Sequence, residues 1–159
     1  MLAALNDLEV KTSDIQNAYL TAPCPEKIWT TLGSEFGPDL TGNKSLVVRA
    51  LCGLHSEGAS FGNHLSECMR NLGYLLCLVD TDLWFKEKTR PSDGAKYYAY
   101  SLLYVDDCLV LNHAEDKALH ELDHFFKMKS GSIGYPNMDL VVKLRKVVLE
   151  NRVEAWATI

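Results

Sequence analysis

Tyr97-Tyr98-Ala99-Tyr100-Ser101-Leu102-Leu103-Tyr104-Val105-Asp106-Asp107-Cys108-Leu109-Val110-Leu111 is two runs of aromatic and aliphatic β-formers on either side of Val105-Asp106-Asp107. The spacing predicts a tight hairpin, strands 97–104 and 108–111, with carboxylates at its tip. Adjacent carboxylates repel each other, and turns that accept Asp usually pair it with Gly or Asn, so folding alone does not ask for two here. A divalent cation removes the repulsion. Hard ions such as Mg2+ take carboxylate oxygens and keep positions open for phosphate oxygens, as in two-metal phosphoryl transfer. Side chains alternate along a strand, so Asp106 and Asp107 cannot point alike and a third carboxylate on a neighbouring strand is needed. Asp14 is the candidate, because it follows a short segment, 5–13, in which Leu8 and Val10 alternate with polar residues.

On the other side of the hairpin, Leu119, Leu122 and Phe126 form the apolar stripe of a helix over 114–126. Upstream, Phe61, Leu65, Met69 and Leu72 recur at helical spacing over 58–72, and Gly73 stands where a helix C-terminal cap is expected. Strands are expected at 74–79 and 83–86, with surface loops at 34–45 and 87–96. Residues 17–25 read as a turn, 28–32 as extended, and 46–48 as a short β-branched run. The tail, 140–157, reads as two strands turning at Asn151-Arg152. This order indicates an α+β fold, an antiparallel sheet with helices packed on one face and the other face left for something else.

With 159 residues the chain can bury a core of its own but is short for two full domains, so 1–159 is expected to be one domain. No apolar run reaches the roughly 20 residues that span a bilayer, and the first five residues are too short for a signal peptide. An intracellular protein, cytoplasmic or nuclear and without membrane contact, is expected. The balance of 16 Lys+Arg against 21 Asp+Glu, net -5, argues against a stand-alone nucleic-acid binder, which gains affinity by neutralising phosphates. Cys24, Cys52, Cys68, Cys77 and Cys108 are odd in number and contain no C-x-x-C pair, so reduced and mostly buried thiols are expected.

Asp14-Ile15-Gln16-Asn17-Ala18-Tyr19-Leu20, Ala50-Leu51-Cys52-Gly53-Leu54-His55-Ser56, Tyr104-Val105-Asp106-Asp107, Phe126-Lys127-Met128-Lys129 with Gly131, and Leu140-Val141-Val142-Lys143-Leu144 follow one another along the chain. In order and spacing they resemble the motifs of the reverse transcriptase of copia-type long-terminal-repeat retrotransposons, over roughly residues 8 to 155. The resemblance implies a polymerase palm, a ferredoxin-like antiparallel sheet, that adds deoxynucleotides to a primer on an RNA or DNA template. It implies two Mg2+ or Mn2+ ions on Asp14, Asp106 and Asp107, with Tyr19 as the gate against a 2′-hydroxyl and Gly53 and Tyr104 beside the substrate. It further implies basic fingers before this segment and a thumb and ribonuclease H after it, so a Pol-polyprotein fragment with little or no activity alone is expected. The chain departs from the family at Cys52 and His55, where a Tyr and a Lys are usual, at Gly58-Ala59 in place of Pro-Arg, and at Val141 in place of a Gly. Fewer cations near the substrate path suit a drifted copy; the alternative is a non-enzymatic remnant or interaction domain.

His120-Glu121-Leu122-Asp123-His124 also satisfies H-E-x-x-H, the helical zinc-hydrolase pattern. Asp123 stands at a position usually apolar in such enzymes, and the stripe of Leu119, Leu122 and Phe126 turns both histidines to solvent. Lys127 and Lys129 could protonate a leaving pyrophosphate, and otherwise read as a solvated helix end.

Overall fold

The computed structural model describes residues 2–135, 144–148 and 154–158. In chain order its elements are α1 (Leu2–Leu5), β1 (Glu9–Asp14), α2 (Ala18–Thr21), β2 (Trp29–Thr31), a 3-10 turn (Ser34–Phe36), β3 (Lys44–Leu46), α3 (Glu57–Asn71), β4 (Leu75–Leu76), β5 (Leu83–Thr89), β6 (Lys96–Tyr104), β7 (Asp107–Asn112), α4 (Glu115–Asp123), β8 (Leu144–Val148) and β9 (Glu154–Thr158). The fold class is α+β, with an antiparallel main sheet. The chain forms two compact units, one of Met1–Gln16 with Cys68–Ile159 and one of Asn17–Glu67, where the sequence suggests a single domain.

The first unit is built on a five-stranded sheet in the order β1-β7-β6-β5-β4; β8 and β9 pair separately. The register fixes what each face carries. Trp84, Ser101, Val110 and Cys108 alternate onto one face with Ser13 and Ile15, and all are buried. Helix α4 packs over β1 and β7, contributing Leu119 and Leu122, each 1% exposed. The C-terminal turn of α3 lies over the same face: the Arg70 guanidinium sits above the Trp84 ring at 5.9 Å, and Lys86 Nζ donates to the Leu72 carbonyl at 2.6 Å. α3 ends as its sequence suggests, with Gly73 at φ 81 and the Tyr74 amide reaching back to the Met69 carbonyl at 2.9 Å. A side chain at that φ would be strained, which is why a glycine closes the helix there. The opposite face is more open. It carries Leu83, Phe85, Tyr100 and Leu102 half-buried, with Tyr98 and Tyr104 exposed. Ala3 and Leu8 cover one end of it, packing with Val10 and Leu111.

Several elements differ from their sequence expectations. The loop expected at 87–96 shrinks to 90–95, because β5 runs on to Thr89 and β6 starts at Lys96. Charge suggested a loop, but alternation uses it: Lys88 points to Glu121 on α4 at 3.7 Å, while Glu87 pairs with Lys96 at 2.7 Å. The loop expected at 34–45 contains the 3-10 turn and the start of β3. Helix α4 stops at Asp123 rather than at 126, since the Asp123 carboxylate accepts the Met128 amide at 2.8 Å and turns the chain. Phe126 is nonetheless fully buried. The strand expected at 74–79 is only Leu75–Leu76. Of the five free cysteines, Cys68 and Cys108 are buried and Cys52 is exposed. Strands β8 and β9 answer to the expected tail pair; Asn151-Arg152 and residues 140–143 lie outside the described residues.

In the second unit, β2 and β3 form a short antiparallel hairpin, and Pro23 bridges Arg49. Ala22 and Ala50 are buried there, joined by an Ala50 N–H bond to the Ala22 carbonyl at 3.1 Å. Residues 17–25, expected to be a turn, hold the one-turn helix α2. Among the described residues no helix is long and apolar enough to cross a membrane.

Candidate metal centre

The hairpin turn is tighter than its sequence suggests. Tyr104 pairs with Asp107, so only Val105 and Asp106 form the turn and Asp107 opens β7. Two-residue hairpin turns need a positive φ at their first central residue, a place usually taken by Gly or Asn. Val105 occupies it at φ 53, a conformation that is an outlier for a β-branched side chain. Strain of this kind costs about 1–3 kcal/mol and persists where the surrounding structure enforces it.

Placing Asp107 on the strand sets the geometry of the carboxylates. Asp14, the last residue of β1, is its direct partner across the ladder. The Asp14 amide points away from β7, donating to Ser132 Oγ at 3.0 Å, whereas the next amide, of Ile15, donates to the Asp106 carbonyl at 2.6 Å. Asp14 and Asp107 are therefore a non-hydrogen-bonded pair, the closer kind, with Cβ atoms about 4.5–5.5 Å apart on one face. This is the more open face, and Tyr104, 57% exposed, stands beside Asp107 on it. Asp106 is exposed in the adjoining turn. Asp14, Asp107 and Tyr104 thus share one face, and Asp106 precedes Asp107 in the turn.

The outer edge of β1 is held by the segment after α4. Gln16 N–H donates to the Lys127 carbonyl at 2.8 Å, Lys129 N–H to the Asp14 carbonyl at 2.8 Å, and Thr12 N–H to the Gly134 carbonyl at 2.9 Å. Ser132 ties these together: its hydroxyl bonds Ser13 Oγ at 3.0 Å and donates to the Lys129 carbonyl at 2.8 Å. Lys129 is exposed, but it lies beyond the end of α4 at Asp123 and not on a helix end. Its ammonium lies 3.4 Å from Asp14 Oδ2. The pairing of Lys129 with Asp14, the role of Ser132 and the strain at Val105 are the site features that the sequence did not show. A β-branched residue in a two-residue turn was the one available local signal.

A divalent cation fits the donor chemistry, two opposed carboxylates with a third in the neighbouring turn, all hard oxygen. Among the described residues, however, no three His, Cys, Asp or Glu side chains are gathered into a metal-holding group, and Asp14 has Lys129 as its counter-ion. Below the carboxylates the sheet is chemically quiet. Burial pushes the Cys108 thiol up to about 12, with the Asp107 charge adding to it.

Tyr19 and Gly53 belong to the second unit. Tyr19, on α2, is half-buried and meets the Phe61 ring edge-on, centroids 5.8 Å apart. Gly53 is exposed at φ 98, a conformation that excludes side chains from this turn. His120 and His124 are exposed, as their helical positions suggest, and line a cavity of about 520 Å³ with Leu72, Lys117, Glu121 and Phe125. Glu121 faces Lys86 at 4.0 Å and Lys88 at 3.7 Å, so the residue that a zinc hydrolase would use as base is set among ammonium groups. No protein-family model, no curated protein and no solved structure matches the chain.

Proposed function

We propose that the chain is a polymerase palm, the nucleotidyl-transfer domain of a copia-type reverse transcriptase. The observation that carries the reading is the pairing of Asp14 with Asp107 on the more open face of an antiparallel sheet, beside a strained two-residue turn that presents Asp106. Nothing in the packing of that sheet requires two like charges opposite each other, and like charges there oppose folding. α4 and the end of α3 lie on the far side, and α1 covers only the end of this face away from the carboxylates, as suits a palm of ferredoxin-like type.

In this reading Asp14 and Asp106 hold two Mg2+ or Mn2+ ions and Asp107 supports them. When bound, the ions activate a primer hydroxyl and neutralise the triphosphate. The chain's own residues do the positioning. The paired backbones of β1 and β7 fix the spacing of Asp14 and Asp107, and the turn sets Asp106 next to them. The aromatic row through Tyr104 offers apolar surface to a base or sugar. Tyr19 is assigned to the deoxyribose and Gly53 to the template path by resemblance.

The test is binding of a fluorescent deoxynucleoside triphosphate to the whole chain with and without Mn2+. Binding is expected to require Mn2+ and to fall at least tenfold in Asp14→Asn and in Asp106→Asn. Absence of binding in the presence of Mn2+, or binding indifferent to both substitutions, would overturn the proposal and leave a non-enzymatic interaction domain.

A further inference from the structure

Resting on that reading of the carboxylates, we propose that Lys129 is a built-in counter-ion that competes with the metal for Asp14 and sets how readily the site loads. The Lys129 ammonium stands 3.4 Å from Asp14 Oδ2, where a cation bound by that oxygen would have to sit or be repelled. Its position is not that of a wandering surface lysine. The Lys129 amide is bonded to the Asp14 carbonyl at 2.8 Å, and its own carbonyl accepts from Ser132 Oγ at 2.8 Å. Main-chain bonds from Gln16 to Lys127 and from Thr12 to Gly134 secure the segment on both sides. The main chain of Lys129 is therefore fixed beside Asp14, and only the end of its side chain has to move for the carboxylate to be released.

This arrangement answers how opposed carboxylates are tolerated before a metal arrives. Lys129 offsets the charge of Asp14, and a divalent ion, with twice the charge, displaces it. Because Asp14 and Lys129 are 35% and 65% exposed, water screens the pair and its effect is modest. Removing the ammonium should tighten cation binding on the order of fivefold, the upper range for an exposed pair, and added salt should narrow the gap.

The test measures Mn2+ affinity of the full chain by the paramagnetic resonance signal of the free ion, with no nucleotide present. Wild type is compared with Lys129→Met, Lys127→Met, Asp14→Asn and the Asp14→Asn/Lys129→Met pair, each checked for folding by circular dichroism. Lys127→Met removes the same charge from the same segment. Lys129→Met is expected to bind about five times more tightly than wild type and Lys127→Met within twofold of it, and the gain should disappear when Asp14 is replaced. Equal affinities in Lys129→Met and Lys127→Met would overturn the counter-ion role and leave the metal site standing. If wild type and Lys129→Met both fail to bind, or Asp14→Asn binds as wild type does, the site reading falls and the inference with it.

Discussion

Val105 and Lys129 show how single residues bear on the carboxylates. Val105 keeps a left-handed backbone with a branched Cβ. Glycine removes about 1–3 kcal/mol of such strain and adds back about 0.5–1 kcal/mol through the freedom of the unfolded chain. Val105→Gly is therefore expected to stabilise the protein by about 1 kcal/mol, raising the thermal midpoint by roughly 2–4 °C. A midpoint equal to or below that of wild type would show that the turn is unstrained. Lys129 was hidden from the sequence for another reason: its partner Asp14 is 115 positions away. An ion pair between distant segments leaves no periodicity or motif, and Phe126-Lys127-Met128-Lys129 taken alone looks like a charged helix end.

Among the elements, those whose apolar residues repeat at a clear period were legible. The span 58–72 became α3, Glu57–Asn71, with Phe61, Leu65 and Met69 buried, and Gly73 closes it. The hairpin was legible as well, but its register was not. Counting Asp107 into the turn concealed that it belongs to β7, facing Asp14. β5 was cut short because Glu87 and Lys88 suggest a loop until a partner strand and α4 supply their counter-charges. The covered face of the sheet makes a prediction of its own. Burial holds both the Tyr74 phenol and the Cys108 thiol up to about 12, above their ordinary values of 10.0 and 9.0. The unfolded chain then loses these protons first and binds fewer of them than the native state. Stability should be unaffected by these groups below about pH 9 and should fall as pH rises from there toward 12. Urea midpoints across that range measure it, and Tyr74→Phe should flatten part of the slope. A slope unchanged in Tyr74→Phe would mean that the phenol plays no part in it.

For the whole molecule, composition points away from the proposed function. A net charge of -5 is a poor grip for nucleic acid, yet the acidic total includes Asp14, Asp106 and Asp107, whose charge divalent ions would offset. The division into two units was not legible, because no Pro- or Gly-rich linker marks Gln16 or Glu67, and α3 runs across the second boundary as one helix. Tyr19 and Gly53 fall in one unit and the carboxylates in the other. In the proposed function Asp14, Asp106 and Asp107 act together on a divalent cation. Thermal unfolding with and without Mn2+ tests it most directly, because a ligand at 100 times its Kd adds about 2.7 kcal/mol to the native state. Saturating Mn2+ should raise the wild-type midpoint by roughly 5–10 °C and leave Asp14→Asn and Asp106→Asn nearly unmoved. A wild-type midpoint that Mn2+ does not shift, or shifts equally in all three proteins, would contradict it.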